Sequence, residues 1–292
     1  MPGLSPIKIL GNVKFMSNNL KLPTQKASGD AKAWGEKYFR DRDQESGEMT
    51  GAPRVIPPWF FPQKPGYKHH QKSCDEVGKA FKDFHDAMID AVQFAHQMWK
   101  LQAKFQNLKV MVAAIGTPGC LDGPELESSI KQAPSCAAFT GNMAKHRDAV
   151  AKGVSKAFKN WQDQVTVPGL PWYPAFAAFP GPMAPPMPNI PMPLICCISA
   201  KMTDIILPDT MTKEMDDALD GGLKNKDPEK QYHPLHDAIA TVLALAFLMW
   251  LPSQQVMLVL GKGPIPTFAP PFVPVGPVMA GDNIAIPGHL MM

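Results

Sequence analysis

One spacing constrains this chain more than any other feature. Asp86-Ala87 leads to Trp99, Asp148-Ala149 to Trp161 and Asp237-Ala238 to Trp250, and each aspartate stands 13 residues before its tryptophan. His85 and His236 directly precede their aspartates, His146 lies two places ahead of Asp148, and Phe158 and Phe247 share the position three before tryptophan. After each tryptophan comes a short apolar run and then a Gly/Pro passage: Val110–Val112 with Gly116 to Pro124, Val165–Val167 with Pro168 to Pro174, and Val256–Leu260 with Gly261 to Pro266. This pattern reads as three diverged copies of one helix-plus-arm unit. The copies are spaced unevenly, 62 and then 89 residues apart, which argues against a regular solenoid and for three helices around a common centre.

The helices follow from periodicity. Between Cys74 and Gln106 there is no proline, and Ala80, Phe81, Phe84, Met88, Ala91, Val92, Ala95, Met98 and Trp99 form one apolar stripe at spacings of three and four. Asp148 and Asp237 lie nearer their helix starts, where a carboxylate meets the helix dipole favourably. A fourth helix is predicted over Asp209–Leu219, capped by Asp209 and stopped by Gly221-Gly222. Ala238–Leu251 carries no charge but is shorter than the roughly 20 residues a span requires. The matching helix of the second copy carries Lys152, Lys156 and Lys159, costly in lipid. A centrally buried helix is the expectation, with membrane insertion as the alternative.

Proline shapes the rest: 32 of 292 residues, about twice the usual share. Residues 1–73 read as an irregular N-terminal arm, with a strand-like piece at Ile7–Phe15 and a short helix at Ala31–Arg40. In Pro57-Pro58-Trp59-Phe60-Phe61-Pro62, prolines flank three aromatics and exclude regular structure. Residues 168–193 hold ten prolines and should be extended and mostly polyproline-II-like. Trp172, Tyr173 and Phe176 there, Trp59 and Phe60 before them and Phe268 after them are too apolar for a solvated linker, so these arms should be docked on another surface. The predicted class is mainly α with extensive irregular Pro/Gly-rich arms and short strands, with pseudo-threefold symmetry as the arrangement that suits three copies. The divisions are an arm over 1–73, a first repeat over 74–135, a second with its Pro-rich arm over 136–208, and a third with a Pro-rich C-terminal arm over 209–292.

Chemistry is scarce. The net charge of +3 is too small to argue for nucleic acid. The five cysteines match no zinc spacing, and Cys196-Cys197 in its apolar run reads as buried thiols, with a vicinal disulfide or soft-metal site as the alternative. His85-Asp86 and His236-Asp237 are tempting acid/base pairs, but sequence neighbours do not face one another on a helix. His233 and His236 lack a third metal ligand in sequence. There is no phosphate loop and no Gly-x-Ser-x-Gly elbow. The reading is therefore of a protein that is not an enzyme and needs no cofactor. Met1-Pro-Gly-Leu-Ser-Pro is not a secretory signal, which predicts synthesis in the cytoplasm and incorporation into a particle or export by a non-Sec route.

Pro168-Gly-Leu-Pro-Trp-Tyr-Pro-Ala-Phe176 and Gly263-Pro-Ile-Pro-Thr-Phe268, with Gly276-Pro-Val278, resemble the Pro/Gly-rich structural and spike-associated proteins of phage tails and contractile injection systems. The tail Val278-Met-Ala-Gly281-Asp282 with Gly288-His289 is similar to the spike-tip PAAR pattern but lacks its arginine. The resemblance implies a structural or interaction component of the spike, tube or baseplate region. Its partners would be protein subunits of a larger assembly, such as a trimeric spike. The alternative is a pore-forming or membrane-inserting protein delivered by such an apparatus. Trp99, Trp161 and Trp250 are the expected core anchors, and Trp59, Phe60, Trp172, Tyr173, Phe176 and Phe268 the docking residues of the arms.

Overall fold

The computed structural model describes residues 3–17, 67–111, 113–171, 183–227, 230–264 and 278–290. It is mainly α, about 54% helix with 18% strand. Three long helices form its centre: α2 (Tyr67–Gln102), α4 (Gly141–Asp163) and α8 (Tyr232–Ser253). Three shorter ones pack in the grooves between them. These are α1 (Lys8–Ser17) between α8 and α2, α3 (Leu126–Lys131) between α2 and α4, and α6 (Pro208–Ala218) between α4 and α8. Each outer helix thus covers the seam between two inner ones, so all three seams are closed. Two short helices, α5 (Thr203–Ile206) and α7 (Gly221–Lys224), flank α6.

Helix α1 corrects the strand expected at Ile7–Phe15. Gly11, Asn12 and Phe15 are the buried positions, a helical spacing, while Ile7, Ile9 and Val13 face out. Close approach decides the outcome. A Cβ on Gly11 would lie 2.1 Å from Nε2 of His85 on α2 and 2.8 Å from Val242 on α8, so only glycine lets α1 into the groove. Lys8–Asp90 at 2.7 Å and Lys14–Asp237 at 3.1 Å tie its flanks to both inner helices. The aromatics of the same expected arm, Trp59 and Phe60, lie outside the described residues, as do residues 31–40.

Other boundaries moved for local reasons. Helix α6 begins at Pro208, whose ring presets helical φ, rather than at a capping Asp209, and it ends where Leu219 turns extended. Gly221-Gly222 does not merely stop it; the pair opens α7, capped by the Asp220 carboxylate accepting from Leu223 N–H at 3.2 Å. Asp148 and Asp237 lie past the first turns of their helices. Asp148 is instead ion-paired to Arg147 at 2.8 Å and Asp237 to Lys14. Helix α8 is apolar enough to cross a membrane by composition, with a mean hydropathy of 1.6, but 67% of that window is buried.

Beyond the tryptophans the chain enters strands. These are β1 (Lys104–Phe105), β2 (Lys109–Val110), β3 (Ala113–Gly116), β4 (Leu121–Asp122), β5 (Val165–Pro171) and β6 (Met183–Met187), then β7 (Met192–Pro193), β8 (Ile198–Ser199), β9 (Gln255–Val256), β10 (Gly261–Pro264) and β11 (Gly281–Asn283). Seven join one antiparallel sheet in the order β6-β10-β11-β2-β3-β5-β8. The two flanks of the Pro-rich stretch are therefore paired strands rather than polyproline II. Pro168, Pro171 and Pro186 are tolerated because they point outward, while Val167, Leu170 and Ala184 face the core.

The sheet is open, with β6 and β8 at its edges, but pairing between segments runs in a cycle. The first strand of this sheet after each long helix (β2, β5, β10) pairs with the returning strand of the preceding segment: β2 with β11, β5 with β3, β10 with β6. The inner face is lined by small residues, Ala114, Gly116, Ala184, Gly261, Gly263 and Gly281. A Cβ on Gly263 would meet Gly281 Cα at 2.5 Å, and one on Gly281 would meet Lys262 O at 2.4 Å. Glycine is what lets these strands approach so closely.

Candidate functional site

The three inner helices meet at an aromatic hub beneath the strands. Trp99, Trp161 and Trp250 are each at most 1% exposed, and their ring centroids are separated by 6.3, 6.1 and 6.0 Å. One helical turn earlier, His96, Phe158 and Phe247 form a second layer, with centroids 6.0, 5.9 and 5.5 Å apart. Both layers arise from one cause. Positions three apart on a helix share a face, so matching residues on three converging helices stack in tiers. A third tier follows from Ala95, Ala157 and Ala246, four before each tryptophan and all buried, whose small size allows the helix axes to approach.

Polarity in the hub is unevenly satisfied. Trp99 Nε1 donates to Gln162 Oε1 at 2.7 Å and Trp250 Nε1 to Gln254 Oε1 at 3.2 Å, while Trp161 Nε1 has no partner. His96 is fully buried against Trp99, Trp250, Phe158 and Phe247 with neither ring nitrogen hydrogen-bonded. Burial, with a smaller contribution from Lys100, pushes its pKa down to about 3, so it is neutral at pH 7.

Between hub and sheet, two asparagines join segments. Asn283 Oδ1 accepts from Leu108 N–H at 2.8 Å and its Nδ2 donates to Phe105 O at 2.8 Å. Asn189 does the same to Val259 N–H at 2.9 Å and Val256 O at 3.0 Å. Phe105 and Val256 both lie six residues after their tryptophan, Leu108 and Val259 nine. Between the first and second segments, the equivalent place is taken by the ladder pair Gly116 with Val167. Two Pro-Gly turns also match. Gly119 and Gly288 take positive φ of 85° and 109°, after which Cys120 O accepts from Gln106 N–H and His289 O from Met257 N–H. His289 Nδ1 accepts from Phe105 N–H at 2.8 Å, so the Gly288-His289 tail is a core latch.

At the far end of the helices lies a cavity of about 270 Å³. Its wall takes Phe81 and Phe84 from α2, Met143 and His146 from α4, and Tyr232 and Leu235 from α8, each pair standing 18 and 15 residues before the tryptophan of its helix. Asp227 completes the wall from the turn before α8. Beside it, Asp216 of α6 is bonded to His233 Nδ1 at 2.6 Å and His236 Nδ1 at 2.7 Å. Burial would raise the Asp216 pKa, but these hydrogen bonds outweigh it and the net shift is downward.

The histidine–aspartate pairs are arranged differently from the sequence reading. His85 Nδ1 does reach its neighbour Asp86, at 3.0 Å, and burial of Asp86 is outweighed by hydrogen bonds from His85 and Lys82, leaving its pKa at about 2. His236 pairs not with Asp237 but with Asp216. The two pairs sit behind different outer helices, α1 and α6. Cys120, Cys136 and Cys197 are buried free thiols, with burial raising Cys120 to about 11 and Cys197 to about 12, whereas Cys196 is exposed. No cluster of three metal-ligating side chains occurs among the described residues.

Of the nine residues singled out in the sequence, the structure brings Trp99, Trp161 and Trp250 together. Trp59, Phe60, Trp172, Tyr173, Phe176 and Phe268 lie outside the described residues. Missed were His96, the Ala95/Ala157/Ala246 tier and the two asparagines. The alanines were visible as a repeat at fixed distance from tryptophan, and Asn189-Ile190 and Asn283-Ile284 as a shared dipeptide. The chain matches no protein-family model, no curated protein and no solved structure.

Proposed function

We propose that this chain is a structural component of a phage-tail-like or contractile injection apparatus, in its spike, tube or baseplate region. In this reading it comprises three diverged copies of one unit about a pseudo-threefold axis. Each unit is an outer helix, an inner helix, an outgoing strand and a returning strand. The observation that carries the proposal is the cyclic order. Every outgoing strand pairs with the preceding unit's return strand, and every outer helix packs against the preceding unit's inner helix, with the first unit meeting the third in the same way. A single chain with that geometry presents near-threefold surfaces and suits a threefold partner such as a trimeric spike.

The test is sedimentation of a lysate from the native source, with this chain followed by mass spectrometry. Co-migration with very large particles rich in tube and sheath subunits is expected. Confinement to low-mass soluble fractions would overturn the proposal. The membrane-active alternative draws on α8, which would have to leave the hub to reach lipid. It predicts leakage of liposomes by purified protein, and intact liposomes with no flotation would remove it.

A further inference from the structure

The cavity at the far end of the inner helices is not used by the structural reading, and its chemistry is specific. Its walls are apolar and aromatic: Phe81, Phe84 and Tyr232 supply ring faces or edges, and Met143 and Leu235 supply aliphatic surface. Asn142, His146, Asp227 and Gln231 also line it, but most of the surface they and their neighbours expose to it is apolar, as in sites that bind small organic molecules. Among the described residues Asp227 is the sole carboxylate in the wall, and no lysine or arginine shares it. Its Oδ2 accepts the backbone N–H of Tyr232 at 3.2 Å, which fixes the group at the start of α8. His146 stands near enough for the Asp227 charge to act on its ring, and its Nδ1 is buried with no hydrogen-bond partner. Burial, reinforced by His236, keeps His146 neutral, with a pKa of about 4.

We propose that this cavity binds a protonated primary amine carried on an apolar stem of about six carbons. The stem would lie against Phe81, Phe84 and Leu235. The ammonium would sit by Asp227 and Tyr232. Three features select this ligand over others. An anion would face Asp227 with no compensating cation among the described residues of the wall. A neutral alkane would leave the Asp227 charge without a countercharge. A cation also gains from the aromatic rings. The volume of about 270 Å³ is small for an organic site, which limits the ligand to a short chain. A free alkylamine and a lysine side chain of a polypeptide share this chemistry.

Isothermal titration of the full chain at pH 7 tests the proposal with four probes: hexylamine, hexanol, hexanoate and Nα-acetyl-lysine methylamide. Hexylamine should bind at one site, roughly tenfold tighter than hexanol, with hexanoate weaker still. If the lysine amide matches or exceeds hexylamine, the natural source is a polypeptide; if it falls short, the source is a free amine, and either result upholds the site. Asp227→Asn should erase the preference for hexylamine over hexanol without changing thermal unfolding. Met143→Trp, at a position 41% exposed and able to take a larger side chain, should fill the cavity and abolish binding of all four. Equal binding of hexylamine, hexanol and hexanoate, or no saturable binding of hexylamine to wild type, would overturn the proposal. Neither result bears on particle association, which the sedimentation experiment decides separately.

Discussion

His96→Phe should make this protein more stable, and increasingly so in acid. Two of the three positions in that tier of the hub are already phenylalanine, Phe158 and Phe247, and His96 fills the third with two unpartnered ring nitrogens. An unsatisfied buried polar group costs about 1–3 kcal/mol. Phenylalanine removes that cost and keeps the edge-to-face contact with Trp250, now at 4.4 Å. Against this stands the slightly larger ring in a packed site, where overpacking costs about 1–3 kcal/mol. The two ranges nearly cancel at pH 7, where the larger apolar surface of phenylalanine sets the sign and the net expectation is a gain of at most about 1 kcal/mol. Acid separates the terms. The folded pKa of about 3 lies below the unfolded value of 6.5, so the unfolded chain takes up the proton first. Stability from this group is complete above pH 6.5 and drains as pH falls toward 3, at up to about 1.4 kcal/mol per pH unit.

The advantage of the variant should therefore grow by about 2 kcal/mol between pH 7 and pH 5. Urea unfolding followed by tryptophan fluorescence reports it directly, because Trp99 and Trp250 contact the substituted ring. His146 and His289, both depressed to about 4 by burial, add acid sensitivity common to the two proteins, so it cancels in the difference. A variant that loses several kcal/mol at pH 7, or one whose pH dependence parallels wild type, would refute the account of His96 as a neutral, unpartnered ring.

Trp161→Ala should cost roughly 3–5 kcal/mol, as large core truncations do, and unchanged thermal unfolding would remove its anchoring role. Asn283→Ala leaves the Leu108 N–H and the Phe105 carbonyl without their partner and should cost about 2–3 kcal/mol in urea unfolding. Asn189→Ala should behave alike at Val256 and Val259, and an exposed-residue effect near zero at either site would contradict the clamp. Gly11→Ala should lower the melting temperature more than alanine at exposed Val13, because its Cβ meets His85; equal effects would show that α1 can shift away. Cys196 should react promptly with a thiol reagent in native protein, while Cys120, Cys136 and Cys197 react only on unfolding.

What could be read in the sequence followed from local periodicity. The long helices and the burial of Trp99, Trp161 and Trp250 follow from apolar spacing and from the fixed interval between aspartate and tryptophan. Helix α1 could not be read that way, because Ile7, Ile9, Val13 and Phe15 alternate like a strand; the groove that accepts Gly11 exists only after α2 and α8 have met. Short strands after the tryptophans were expected, but strands running through the proline passages were not, for a related reason. Val165–Pro171 and Met183–Met187 carry prolines that exclude them from most sheets, and only a pairing that turns Pro168, Pro171 and Pro186 outward makes them strands. The cavity was illegible because Phe84, His146 and Leu235 share a register but no residue type.

The same cyclic arrangement predicts how the chain unfolds. An ordinary three-segment protein could lose one segment at a time, as solenoids do. Here α3 is held by both α2 and α4, α6 by both α4 and α8, and α1 by both α8 and α2. The strands repeat the interlock, and the hub layers take one side chain from each inner helix. Removing any segment exposes a tryptophan tier and two outer-helix grooves in the others, so no segment has a core of its own. Calorimetry should show one transition whose calorimetric and van't Hoff enthalpies agree. A fragment spanning 126–207 should lack cooperative unfolding, despite containing α3, α4, α5 and the strands β5 to β8. Two resolved transitions, or a folded fragment, would mean that the segments are independent domains and that the closed ring adds little to their stability.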